Sequence, residues 1–185
     1  MGLTNSMTSN SKIVTIVNGK FTIRLPEGST DEKAVKRTLK SGREVEELQY
    51  NGLDGKIVNI YMLENDYGTK YVTSLEDENG DRFNLQIPLD SQFFGQYAKR
   101  MPNIDKDTNI FFGLGFDKER QRPFLFIKQA GETVPMKFTK AEPNGMPEPT
   151  TKEVKGKEVW DWEEQENFLY EIAMDFMGEK EDIPF

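Results

Sequence analysis

Aromatic rings and basic side chains fall together at four places in this chain. Tyr67, Lys70 and Tyr71 surround one turn signal, and Arg82 with Phe83 follows another. Lys99 and Arg100 end a candidate helix, while Phe111, Phe116, Lys118, Arg120, Arg122, Phe124, Phe126 and Lys128 crowd a candidate hairpin. A ring offers a stacking surface worth about 1–3 kcal/mol per base, and a neighbouring cation offers a phosphate contact that weakens as salt rises. Interleaving the two is the chemistry of holding an unpaired polynucleotide without reading its sequence. Other chemistries are narrowed by composition. The chain has no Cys and no His, which removes disulfides, thiolate zinc sites, Cys nucleophiles and imidazole acid–base catalysis. Asp66, Glu76, Asp77, Glu78 and Asp81 lie close in sequence and could serve a metal-dependent nuclease. They fall in turn-like stretches where acidic residues are ordinary, so the expectation is a protein without catalysis, metal or cofactor.

Strand alternation sorts the rings. Over 109–116, Ile110, Phe112, Leu114 and Phe116 share one face and Phe111 lies opposite. Over 123–129, Leu125 and Ile127 share one face, and Phe124, Phe126 and Lys128 share the other. That makes Phe124 and Phe126 the best stacking candidates. Tyr67 and Tyr71 are expected at an exposed turn tip. Lys118, Arg120 and Arg122 are expected in a loop that could lie over a groove. Phe93, Phe94, Tyr97 and Met101 recur at roughly helical spacing and read as packing.

These candidates need elements to carry them. Asn18-Gly19 between two apolar runs is a strong hairpin signal, since both residues tolerate positive φ. Ser29-Thr30-Asp31 could cap a helix reaching about Lys40, and Asn51 to Gly55 reads as a turn. Lys56–Leu63, Thr69–Leu75 and Arg82–Ile87 form a three-stranded meander. Asp90 or Ser91 can cap a helix over 92–101, which Pro102 ends. Two further strands follow, at 109–116 and 123–129, with Gly113 and Gly115 marking a bend, a bulge or a close backbone approach. Strand, strand, strand, helix, strand, strand is the order of the five-stranded OB barrel, which binds oligonucleotides on strand faces and loops. The expected fold is therefore mainly β, an OB barrel with its helix between strands three and four and an N-terminal hairpin added. That hairpin could also form a homo-oligomer contact.

Charge divides the chain as the elements do. Residues 1–140 hold 20 Lys and Arg against 19 Asp and Glu, whereas residues 141–185 hold 4 against 13. Three prolines and a glycine fall within 141–149. The expected organisation is a disordered arm over 1–11, a barrel domain over 12–140, and a Pro-rich linker with an acidic tail over 141–185. The segment 160–177 could also form a short amphipathic helix. No apolar run is long enough to span a membrane and no secretory signal is seen, so a cytoplasmic protein is expected.

The chain ends Glu181-Asp182-Ile183-Pro184-Phe185. This resembles the C-terminal tip of the bacterial single-stranded DNA-binding proteins, where acidic residues precede Ile-Pro-Phe. Upstream, the chain is more similar to phage-encoded members, in which an OB core and an acidic aromatic tail recur. The resemblance implies a protein that coats single-stranded DNA during replication, recombination or repair. It also implies that Asp182, Ile183, Pro184 and Phe185 dock on replication and repair proteins. The physical logic is a ring and a carboxylate on one residue, with acidic neighbours steering towards a basic pocket. A replication accessory or mimic that uses such a tip without touching DNA is the rival reading, alongside the nuclease.

Overall fold

A computed structural model describes residues 11–178. Residues 1–10 of the arm expected over 1–11, and the expected docking residues Asp182, Ile183, Pro184 and Phe185, lie outside the described residues. No helix among the described residues is long and apolar enough to cross a membrane.

The protein is mainly β. The first hairpin joins β1 (Lys12–Val17) to β2 (Lys20–Arg24). Its turn has φ of 50° at Asn18 and 71° at Gly19, as Asn-Gly allows. Next come β3 (Val35–Thr38) and β4 (Glu44–Tyr50). The helix expected from Ser29 is absent. Asp31 Oδ1 accepts the Lys33 N–H at 2.9 Å in a local turn, so the capping signal is consumed without a helix. The segment beyond it pairs with β4, register Arg37 to Val45.

A single residue, Asn51, separates β4 from the 14-residue β5 (Gly52–Asn65). The turn expected over 51–55 is instead strand, with Gly52 to Gly55 paired to Gly113 to Ile110. The rest of β5 pairs with β6 (Gly68–Glu76), with a bulge between Ile57 and Asn59. β7 (Arg82–Pro88) completes the meander. Ser91 then caps α1 (Gln92–Ala98), its Oγ accepting the Phe94 N–H at 3.2 Å. A single 3-10 turn at Met101–Asn103 follows, and the chain enters β8 (Ile110–Asp117), β9 (Arg122–Gln129) and the short β10 (Glu132–Thr133).

The hydrogen-bonded order is β10-β9-β8-β5-β6-β7-β1-β2-β4-β3, one ten-stranded sheet. This corrects the expected five-stranded barrel, because the sheet is not closed. The outer edge of β7 is occupied by β1, in parallel register with Val14 opposite Leu85. The edge of β9 is met by α1, where Gln96 Oε1 accepts the Leu125 N–H at 2.6 Å. The inner face still carries one core, in which Tyr71, Leu75, Leu85, Phe112, Leu125 and Ile127 are buried together with Phe94 and Tyr97 of α1. Tyr97 meets Phe112 edge-on at 5.1 Å between centroids.

The segment assigned to linker and tail adds structure of its own. Met146 is buried. Strands β11 (Thr150–Val154) and β12 (Lys157–Asp161) form a separate, exposed hairpin. The helix α2 (Glu163–Met177) inserts Leu169, Ala173 and Phe176 into the core. Phe168 of α2 packs edge-on against Phe138 at 5.0 Å.

Candidate nucleic-acid interface

The outer face of the β8–β9 pair is built from alternation. Phe111 opposes Lys128, Gly113 opposes Phe126 and Gly115 opposes Phe124, so these six share the face turned away from the core. Each glycine is the floor beneath a ring. A Cβ placed on Gly113 would enter the Phe126 ring, one on Gly115 would enter the Phe124 ring, and one on Gly52 of β5 would enter the Phe111 ring. None of the three glycines has a positive φ. They are needed for room, not for conformation. Covering a strand glycine with a cross-strand ring offsets the weakness of glycine in a sheet.

The result is a platform of three rings. Phe111 and Phe126 lie 6.1 Å apart between centroids at 43°, and Phe124 and Phe126 lie 6.2 Å apart at 49°. Phe124 is 37% exposed and the other two are half-buried. The Lys128 ammonium stands 5.8 Å from the Phe126 centroid, within reach of the ring's negative face. The β8–β9 turn supplies Lys118 and Arg120, and Arg122 opens β9, all three exposed. Asp117 organises that turn. Its Oδ1 accepts the N–H groups of Glu119 and Arg120, both at 3.0 Å. Those hydrogen bonds, led by that from Arg120, hold the Asp117 carboxyl below the usual carboxylate range.

The structure therefore brings together Lys118, Arg120, Arg122, Phe124, Phe126 and Lys128. It adds Phe111, which sequence reasoning placed opposite Phe112 but did not group with Phe124 and Phe126. The pairing of a ring on one strand with a Gly-x-Gly on the next was the available signal.

Other candidates are dispersed. Tyr67 is 92% exposed at the tip of the β5–β6 turn, as expected. Lys70 donates to Gln86 Oε1 at 3.3 Å on the outer face of β6. Tyr71 is a correction: it is 0% exposed. Its register opposite Met62 and Ile87 turns it inward, and its hydroxyl donates to the Ala173 carbonyl of α2 at 3.1 Å. Burial pushes its ionisation well above the ordinary phenol range.

Arg82 is exposed and bound to Glu76 at 2.8 Å. Lys99 is half-buried, and burial lowers its pKa. Arg100 is also a correction. It is buried, with Nε donating to the Val134 carbonyl at 3.2 Å and Nη1 to the Gln96 carbonyl at 2.7 Å. It ties the end of α1 to the residue that follows β10, and so serves the orphan carbonyls of a helix terminus. Of the clustered acids, Glu76 pairs with Arg82, Asp81 pairs with Lys12 at 3.0 Å, and Asp77 accepts the N–H groups of Asn79 and Asp81.

Compared with known proteins, the chain matches no family model, no curated protein and no solved structure.

Proposed function

We propose that this chain is a single-stranded DNA-binding protein. In this reading it coats and protects unpaired DNA during replication, recombination or repair, and recruits partner proteins through Asp182, Ile183, Pro184 and Phe185. The observation that carries the reading is the platform of Phe111, Phe124 and Phe126, laid over glycine and bordered by Lys128 and the basic β8–β9 turn. Rings held flat against a strand backbone are pre-ordered, so little side-chain entropy is lost when a base stacks on them. Core packing gives no reason to keep three rings on the outer face. Every base has a π-face, so such a platform takes any sequence.

The strand run β9-β8-β5-β6-β7, with α1 between β7 and β8, supports an OB-type arrangement opened along one seam. Along that seam the β1–β2 hairpin stands beside β7, and its turn reaches β9. A Cβ at Gly19 would stand 3.3 Å from the Pro123 side chain.

A titration of labelled oligo-dT followed by anisotropy at several salt concentrations tests the proposal. Binding that is tight at low salt, weakens steeply with salt and is indifferent to base composition is expected. No binding at low salt, with retained docking of the tip on other proteins, would overturn it in favour of a mimic. Loss of intact strand on adding Mg²⁺ or Mn²⁺ would favour a nuclease.

A further inference from the structure

The outer face of the N-terminal strands carries side chains that the platform does not explain. Strand registers place Val72, Gln86, Thr15, Thr22 and Gln49 in one row across β6, β7, β1, β2 and β4. Ser74, Asn84 and Ile13 begin a parallel row across β6, β7 and β1, and Arg24, Glu47 and Val35 lie together on β2, β4 and β3. This is the face opposite the core residues Val14, Phe21 and Leu85. Yet Thr22, Glu47, Ser74 and Gln86 on it are buried. Polar side chains become buried on the side away from a core when the sheet curls around them. A cleft of about 940 Å³ at these strands is lined from both faces, by Arg24, Arg37, Lys70, Gln86 and the carboxylate of Glu47 and by apolar side chains that include Phe21, Ile23, Leu48 and Phe83.

The polar groups are paired with each other across strands. Thr15 and Thr22 hydroxyls are 3.1 Å apart, Ser74 donates to Asn84 at 2.8 Å, and Lys70 donates to Gln86. Arg37 Nε donates to Glu47 Oε2 at 2.8 Å, and a second bond makes the pair bidentate. Glu47 is thereby neutralised. Arg24 is exposed and makes no ion pair among the described residues. Among the charged side chains lining the cleft, Arg24, Arg37 and Lys70 outnumber the one carboxylate, and such a surplus of cations suits phosphate oxygens.

The furrow is continuous with the platform at one residue. Gly52 lines the cleft, and the Phe111 ring rests against that same Gly52. We infer that the furrow bounded by Arg24, Arg37 and Lys70 is a second binding track, which takes the phosphodiester backbone of the strand whose bases stack on Phe111, Phe124 and Phe126. This rests on the proposed single-stranded DNA binding. Most of the furrow wall comes from residues 11–50, so it gives the N-terminal strands a role beyond extending the sheet. A short strand fills the platform alone, and a longer one passes Gly52 and gains the furrow.

The test compares oligo-dT of about 4 and about 16 nucleotides, which span the site sizes found for OB folds. The full-length chain is compared with a variant carrying Arg24→Gln and Lys70→Gln. On the long strand the variant should bind about tenfold more weakly, with a salt slope shallower by about 1.4, since each lost contact contributes about 0.7 on single strands. On the short strand it should match the unaltered chain. Arg24→Lys with Lys70 intact should keep the long-strand slope, and equal thermal midpoints guard against misfolding. An unchanged long-strand slope in the double variant overturns the furrow while leaving the platform standing. An equal loss on a duplex of the same length also overturns it, because the surface would then be a general polyanion site. Failure of the unaltered chain to bind either strand overturns the platform and the furrow together.

Discussion

Phe112 and Phe126 sit on neighbouring strands of one hairpin, in successive register positions, and do opposite work. Phe112 points inward, is 0% exposed and meets Tyr97 edge-on. Phe126 points outward and lies over Gly113, whose neighbour in sequence is Phe112 itself. Composition cannot tell these rings apart, since both belong to aromatic-rich strands. The period of two does, and the glycine beneath the ring says more. A core ring packs against other side chains, whereas a platform ring is given bare backbone to lie on. The contrast yields a rule for this fold: where a strand alternates Phe with Gly, the outward rings of its partner are presented and not packed.

The largest expected effect breaks the inward member. Phe112→Ala should cost about 3–5 kcal/mol of stability by leaving a cavity in the core, read as a lowered denaturation midpoint. Gly113→Ala comes next. Its Cβ must displace the Phe126 ring, and overpacking of this kind costs about 1–3 kcal/mol. Chemical denaturation should show that cost shrinking when Phe126→Ala is added, as coupled neighbours require. Phe126→Ala alone should reduce oligo-dT affinity by about 1–3 kcal/mol, while moving the denaturation midpoint far less than Phe112→Ala does. Similar midpoint losses for the two would dissolve the distinction between them.

Two smaller effects sharpen it. Tyr71→Phe should destabilise by about 1 kcal/mol, through loss of its hydrogen bond to Ala173, and leave oligo-dT affinity unchanged. A drop in affinity would mean that Tyr71 reaches the strand after all. The smallest effect concerns Asp117. Its folded pKa is depressed, so the turn it holds is intact above the ordinary Asp range and is lost only as pH falls through the lowered value. The amide shifts of Glu119 and Arg120 should titrate with a midpoint below about 3.9. A midpoint at or above that value would deny the hydrogen bonds.

Much of this was legible in the residues. Asn18-Gly19, the meander from Lys56 to Ile87 and the Ser91 cap follow from turn chemistry and period. So does the shared outward face of Phe124, Phe126 and Lys128. Tyr71 was not legible, because Thr69 to Leu75 has β-branched residues on both faces and β6 is covered on both. Only the register of its partners turns it inward. The stretch 51–55 read as a turn because Gly52 and Gly55 imply one. In the structure Gly52 serves the Phe111 ring on the neighbouring strand β8, two residues from its own register partner Gly113, and not a local bend. The strand at Val35–Thr38 is held by β4 alone, a contact that local capping signals cannot report. Arg100 at a helix end looked like a surface cation, and its carbonyl partners Gln96 and Val134 are visible only once the chain has folded. The amphipathic helix that 160–177 could form is present as α2, but its acidic composition assigned it to a tail and hid that Leu169, Ala173 and Phe176, spaced by four and three residues, enter the core.

The most direct measurement follows the ring proton resonances of individual Phe residues by NMR during addition of oligo-dT. Phe111, Phe124 and Phe126 should shift upfield together as bases stack on them, with Phe112 and Tyr97 unmoved. Binding that leaves the three outer rings unshifted would place the strand elsewhere on the molecule and contradict the platform.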